Sequence, residues 1–206
     1  MVPEVAGSTK RPRTPKQQDR AARILDSARR AFAENPFDEV LMEDVARQAN
    51  VGKGTIYRYF PDKESLYFAV IFQGIEELKE QIRSVFTTQS HLEVKIRDLI
   101  GTLVAFFQQN RFFFRLMNLE DGKVGGESRP NRQQWHRERA DLIDAIAAVL
   151  EYGRDTGALD IVYPRTEAQI LLGMVRSVLR HNEEDLAVQQ MADEIARIFF
   201  RGVSYR

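Results

Sequence analysis

Cysteine is absent from this chain of 206 residues, which excludes disulfides, thiolate catalysis and cysteine-held zinc. Histidine is scarce. His91, His136 and His181 lie far apart and none has a second ligand at helical spacing, so no metal site is expected. No apolar run approaches the ~20 residues that would span a bilayer. The opening M-V-P-E-V-A-G-S-T-K-R-P-R has no apolar stretch behind its charges, which argues against a signal peptide. Gly-rich phosphate loops, nucleophile elbows and paired-carboxylate motifs are missing too. G-K-G-T, Gly52 to Thr55, has neither the length of a phosphate-binding loop nor its Lys-Ser/Thr ending. These absences predict a soluble cytoplasmic protein that is not an enzyme and carries no cofactor.

Net charge is zero, but its distribution is uneven. Residues 1 to 63 hold 12 Lys and Arg against 9 Asp and Glu, leaving the remainder equally negative. Most of these charges belong to solvated faces, yet the excess turns attention to the N-terminal third for any nucleic-acid contact.

Helical periods dominate the chain and strand alternation is almost absent. Ile24, Ala28 and Phe32 recur every four residues, and the pattern stops at Asn35-Pro36. A short helix is expected from about Met42 to Asn50. Asp62 after Pro61 is a good N-cap for a helix carrying Ile71, Ile75, Leu78, Ile82 and Val85. Ser90 with Glu93 and Thr166 with Gln169 read as capping boxes opening two later helices. Trp135 to Leu150 marks a long helix ending before Gly157, and a last helix runs from about Ala187 to Gly202. The predicted fold is all-α, about nine helices, with an N-terminal three-helix head on a larger helical body.

The stretch V-G-K-G-T-I-Y-R-Y-F, Val51 to Phe60, has strand-like composition, but no partner strand exists to pair with it. At ~100° per residue a helix puts Ile56 and Phe60 on one face and Gly54, Thr55 and Arg58 on the opposite one, flanked by Tyr57 and Tyr59. Just before it, Ala46 and Ala49 allow close helix approach. Asn50 tolerates a left-handed backbone, and Gly52 can cap the second helix. Helix, tight turn, second helix is the helix-turn-helix pattern. The first turn of that second helix offers N–H groups, a hydroxyl and an ammonium to phosphates and base edges.

These residues also carry a resemblance. A-N-V-G-K-G-T-I-Y-R-Y-F-P-D-K-E-S-L resembles the signature of the TetR family of bacterial transcriptional regulators. The preceding R-I-L-D-S-A-R-R-A-F-A-E is similar to that family's first helix. The motif covers residues about 20 to 70. It implies a homodimeric repressor whose helix-turn-helix DNA-binding domain spans 16–62, after a flexible basic arm over 1–15. A ligand-binding and dimerisation domain would cover 63–206. Backbone contacts would fall on Thr55, Tyr57, Tyr59 and Lys63, with base-facing positions at Lys53, Gly54 and Arg58. Two departures stand out. Val40 and Leu41 occupy a region where the family often has threonine, and Asn50 and Gly52 replace its usual glycine and serine. The arm Lys10 to Arg13 reads either as a minor-groove contact or as a solvated tail.

In the body, Phe106, Phe107, Phe112, Phe113 and Phe114 cluster with Met117 and Trp135. Three consecutive phenylalanines cannot all face one way on a helix, so some must meet a second surface. That surface is either a neighbouring helix, as in plain core packing, or a pocket. The TetR resemblance implies a ligand cavity in this part of the body, which makes Phe106, Phe107, Phe113, Phe114, Met117 and Trp135 candidate walls for a small apolar effector. Leu171, Leu172, Val175, Leu179, Ile195 and Phe199 are candidates for a two-fold dimer interface, with an intramolecular hairpin as the competing reading. The expected function is a DNA-binding regulator, a repressor released from a palindromic operator by its effector. The alternatives are an architectural or cell-division protein on the same scaffold without an effector, and an enzyme or carrier whose helix-turn-helix is only structural.

Overall fold

The computed structural model describes residues 14–87, 90–111, 113, 129–182 and 185–203. The described residues form eight α-helices and one 3-10 turn, with no strand among them. They divide into two compact units. The first comprises the described residues up to Gly74 with those of 129–136, and the second those of 75–118 and 137–203.

In the first unit α1 spans Pro15–Glu34. Proline fixes φ near the helical value and lacks an N–H that the first turn would leave unbonded, so Pro15 opens the helix although it lies in the expected arm. Thr14 N–H donates to Gln17 Oε1 at 2.9 Å, tying down that first turn. The helix stops at Asn35, whose backbone is extended, as a residue before proline must be. A 3-10 turn, Phe37–Glu39, follows, then α2, Met42–Gln48, and α3, Lys53–Tyr59. Asp62 caps α4, Lys63–Thr87, with its Oδ1 accepting from Ser65 N–H at 2.6 Å.

α2 packs against both α1 and α3. Ile24, Leu25, Phe32, Val45, Ile56 and Phe60 are almost wholly removed from water and form the core of the head. Each such side chain contributes roughly 1.5–3 kcal/mol of transfer free energy. Phe32, Phe37 and Tyr67 form an aromatic triangle with centroids 4.9 to 6.1 Å apart, joining α1, the 3-10 turn and the start of α4.

In the second unit lie the rest of α4, α5 (Leu92–Gln109), most of α6 (Arg129–Asp155), α7 (Pro164–Arg180) and α8 (Val188–Val203). α5 packs on α7 and α8, which also pack on each other. α6 ends as expected: Gly157 takes φ +71°, and Ala158 N–H donates to Gly153 O at 2.9 Å. Two expected caps differ. His91, not Ser90, is the N-cap of α5, and Pro164 opens α7 so that Thr166 already lies inside the helix. One buried ionic group joins α4 to α6. Lys79, 7% exposed, makes ion pairs with Glu76 and, at 3.3 Å, with Glu138.

Candidate nucleic-acid interface

The turn between α2 and α3 is set by one left-handed residue. Asn50 has φ 52°, and this lets Val51 N–H reach back to Ala46 O at 2.9 Å. Gly52 is the N-cap of α3, as expected, with an extended backbone that any residue adopts. Ile56 and Phe60 anchor α3 in the core, at 0% and 2% exposure. Its other face is open. Lys53, Gly54, Tyr57 and Arg58 are exposed, and Thr55 is partly so.

Two sequence-predicted residues behave differently. Tyr59 is only 8% exposed, and the Arg58 guanidinium lies over its ring, 5.7 Å from the centroid. Its position beside buried Phe60 at the end of α3 draws it inward, so its ring lies behind the exposed face of α3 and does not form part of it. Lys63 is half-buried. Its Nζ donates to Asp38 O at 3.0 Å and lies 4.7 Å from the Phe37 ring centroid, pinning the 3-10 turn to α4.

Sequence reasoning missed Glu43. From the first turn of α2 its carboxylate crosses to α3, 2.8 Å from Lys53 Nζ, and accepts a 3.5 Å hydrogen bond from Tyr57 OH. The hydrogen bond from Lys53 holds the Glu43 carboxyl below its ordinary value, and the same bond raises the Lys53 ammonium above its own. The available signal was an acidic residue at a helix start facing a basic one across a turn.

Family models match both parts of the chain. Residues 24–70 match the model described as bacterial regulatory proteins, tetR family, and residues 88–203 match the tetracyclin repressor-like C-terminal domain. The chain belongs to the TetR family. It is a helix-turn-helix transcriptional regulator, and members of this family bind DNA. The uncharacterized HTH-type transcriptional regulator YfiR of Bacillus subtilis is 26% identical over 200 residues, 89% of this chain and 91% of that protein. Among solved structures, a TetR/AcrR-family regulator from Thermobifida fusca superposes with a TM-score of 0.72 at 21% identity, over 91% of this chain and 99% of its own. FadR from Bacillus subtilis, in complex with stearoyl-CoA, gives 0.73 at 18% identity, over 88% and 98%. Both show the shared fold.

In this TetR-family chain, Phe106, Phe107 and Phe113 are buried on one another, with centroids 5.4 to 5.7 Å apart. Trp135 is buried in the other unit, and Phe114 and Met117 lie outside the described residues, as does the arm Lys10 to Arg13. An open cleft of about 450 Å³ lies elsewhere in the body, lined by residues of α4, α5 and α8 including Arg97, Thr102 and Gln189. Of the residues expected at a dimer interface, Leu171, Leu172, Val175, Ile195 and Phe199 are buried within the single chain, and Leu179 is half-buried. Helical periodicity identified the apolar face of each helix correctly, but that face is used inside the chain. Among the residues left open on α7 and α8 are Ile170, Gly173, Ser177 and Ile198, with Ile170 55% and Ile198 49% exposed. No cluster of metal-binding side chains and no helix long and apolar enough to cross a membrane occurs among the described residues.

Proposed function

We propose that this chain is a homodimeric repressor that releases a palindromic operator on binding a small apolar effector. The observation that carries the DNA reading is the open face of α3. Lys53, Gly54, Thr55, Tyr57 and Arg58 stand outward on a helix whose other side is locked into the core. Two such helices related by a two-fold axis would enter successive major grooves roughly 34 Å apart. Lys63 joins this set by exchanging its bond to Asp38 for a phosphate, and Tyr59 acts by backing the Arg58 guanidinium.

Dimerisation is assigned to the open face of α7 and α8. Gly173 and Ser177, four residues apart, admit close approach of a second helix, and Ile170 and Ile198 supply apolar area. The effector reading rests on the aromatic cluster of Phe106, Phe107 and Phe113 in the body. An acyl chain is the first class to test, because FadR of Bacillus subtilis has the same fold and was solved with stearoyl-CoA. The effector would shift the equilibrium between a DNA-fitting and a misfit state by its difference in affinity for them, typically ~1–3 kcal/mol.

Selection of bound fragments from sheared genomic DNA, repeated with fatty acids and acyl-CoAs of graded length, tests the reading. Enrichment of one palindrome and its loss on adding a long acyl ligand are expected. Retention of no duplex at low salt would refute the DNA reading. Enrichment insensitive to every acyl ligand would refute the acyl effector.

A further inference from the structure

Glu43 is the one acidic side chain bonded to the proposed DNA-reading residues among the described contacts of α3. Its two partners, Lys53 and Tyr57, sit one helical turn apart on the same face of α3. Lys53 and Glu43 are well exposed, at 68% and 47% of their side chains, so the pair adds little to folding stability. Its consequence is electrostatic. A carboxylate 2.8 Å from the ammonium cancels most of the attraction Lys53 would exert on a phosphate, and itself repels the DNA backbone.

A base pair can satisfy this arrangement where a phosphate cannot. In the major groove guanine presents the O6 and N7 acceptors to a lysine, and the paired cytosine presents an N4 amino donor to a carboxylate. Resting on the DNA-binding reading of α3, we propose that Glu43 is a specificity-determining residue. It holds Lys53 and Tyr57 in position in the free head and weakens binding to DNA that lacks a G·C pair opposite them.

Affinity for the selected operator and for a random-sequence duplex, each across a salt series, tests this in wild type, Glu43→Gln, Lys53→Gln and the double variant. Glu43→Gln should strengthen random-duplex binding about tenfold and steepen its log–log salt slope by about one, as a freed lysine gains a phosphate. Operator affinity should gain clearly less than random-duplex affinity, because the cytosine amino group loses its carboxylate acceptor, so discrimination falls. Both effects should disappear in the Lys53→Gln background. The proposal is overturned if Glu43→Gln leaves random binding unchanged, shifts operator and random duplex by one factor, or acts equally without Lys53. Failure of wild type to bind any duplex is a different result, and it removes the head assignment itself.

Discussion

Val51 N–H donates to Ala46 O at 2.9 Å because Asn50, one residue before, holds φ at 52°. That single backbone choice sets where α3 begins relative to α2. An alanine at position 50 would carry the left-handed penalty without the local hydrogen bonding that asparagine offers, about 1 kcal/mol. Asn50→Ala should lower stability by about that amount in denaturant titrations. Asn50→Gly should stay within ~0.5 kcal/mol of wild type, since relief of strain is offset by greater unfolded-state freedom.

Gly54 separates stability from function. It lies inside α3 with ordinary φ, and a Cβ added there would meet nothing within 4 Å. Neither packing nor backbone strain explains a residue that disfavours a helix by about 1 kcal/mol relative to alanine. On the proposed DNA-binding reading, room for a duplex does. Gly54→Ala should raise the melting temperature slightly while weakening operator binding tenfold or more, measured on the same preparation.

Lys79 tests the polar interior of the body. Burial lowers its ammonium pKa, but the hydrogen bond to Glu76 and the attraction of Glu138 outweigh that and leave it above the ordinary 10.5. A raised value means the contribution to stability is complete below pH 10.5 and is lost as pH climbs through the folded-state value. Wild type should therefore lose stability above that pH, and Lys79→Met should lack this alkaline loss. Near neutrality Lys79→Met strands the carboxylate of Glu138 and should cost about 3 kcal/mol. Glu76, 44% exposed, should cost less than ~1 kcal/mol when changed to Gln.

The proposed dimer face and the hairpin core give opposite readouts. Ile170→Glu with Ile198→Glu should leave the fold intact and convert a dimer to monomers in sedimentation. Leu171→Ala, at a fully buried site, should destabilise the chain by about 2–5 kcal/mol. A dimer that persists with both charges in place would move the interface elsewhere.

The head was legible because its signals are local. Asp62 capping α4 and Asn50 in the turn each act through their own neighbours, as Gly157 does at the end of α6 in the body, and each stands where the chain order implied. The start of α7 was misplaced for a local reason as well: Pro164 at the first helical position outcompeted Thr166 as the opening signal. What the sequence left unread was non-local. The helical wheel left Tyr59 at the flank of α3 because burial at a helix end depends on what lies against it. The pairing of Glu43 with Lys53 crosses a turn, so it is set by the angle between two helices. Apolar periodicity in α7 and α8 reported burial faithfully, but it carries no information on whether the partner surface belongs to the same chain.

If the open face of α3 reads DNA, truncating its side chains removes operator binding without unfolding the head. Fluorescence-anisotropy titration of the selected palindrome with wild type and with Lys53→Ala/Tyr57→Ala/Arg58→Ala tests it most directly. The triple variant should keep its helical circular dichroism, lose operator affinity by about a hundredfold or more, and show a salt slope shallower by about two. Unchanged affinity and slope in that folded variant would contradict the account.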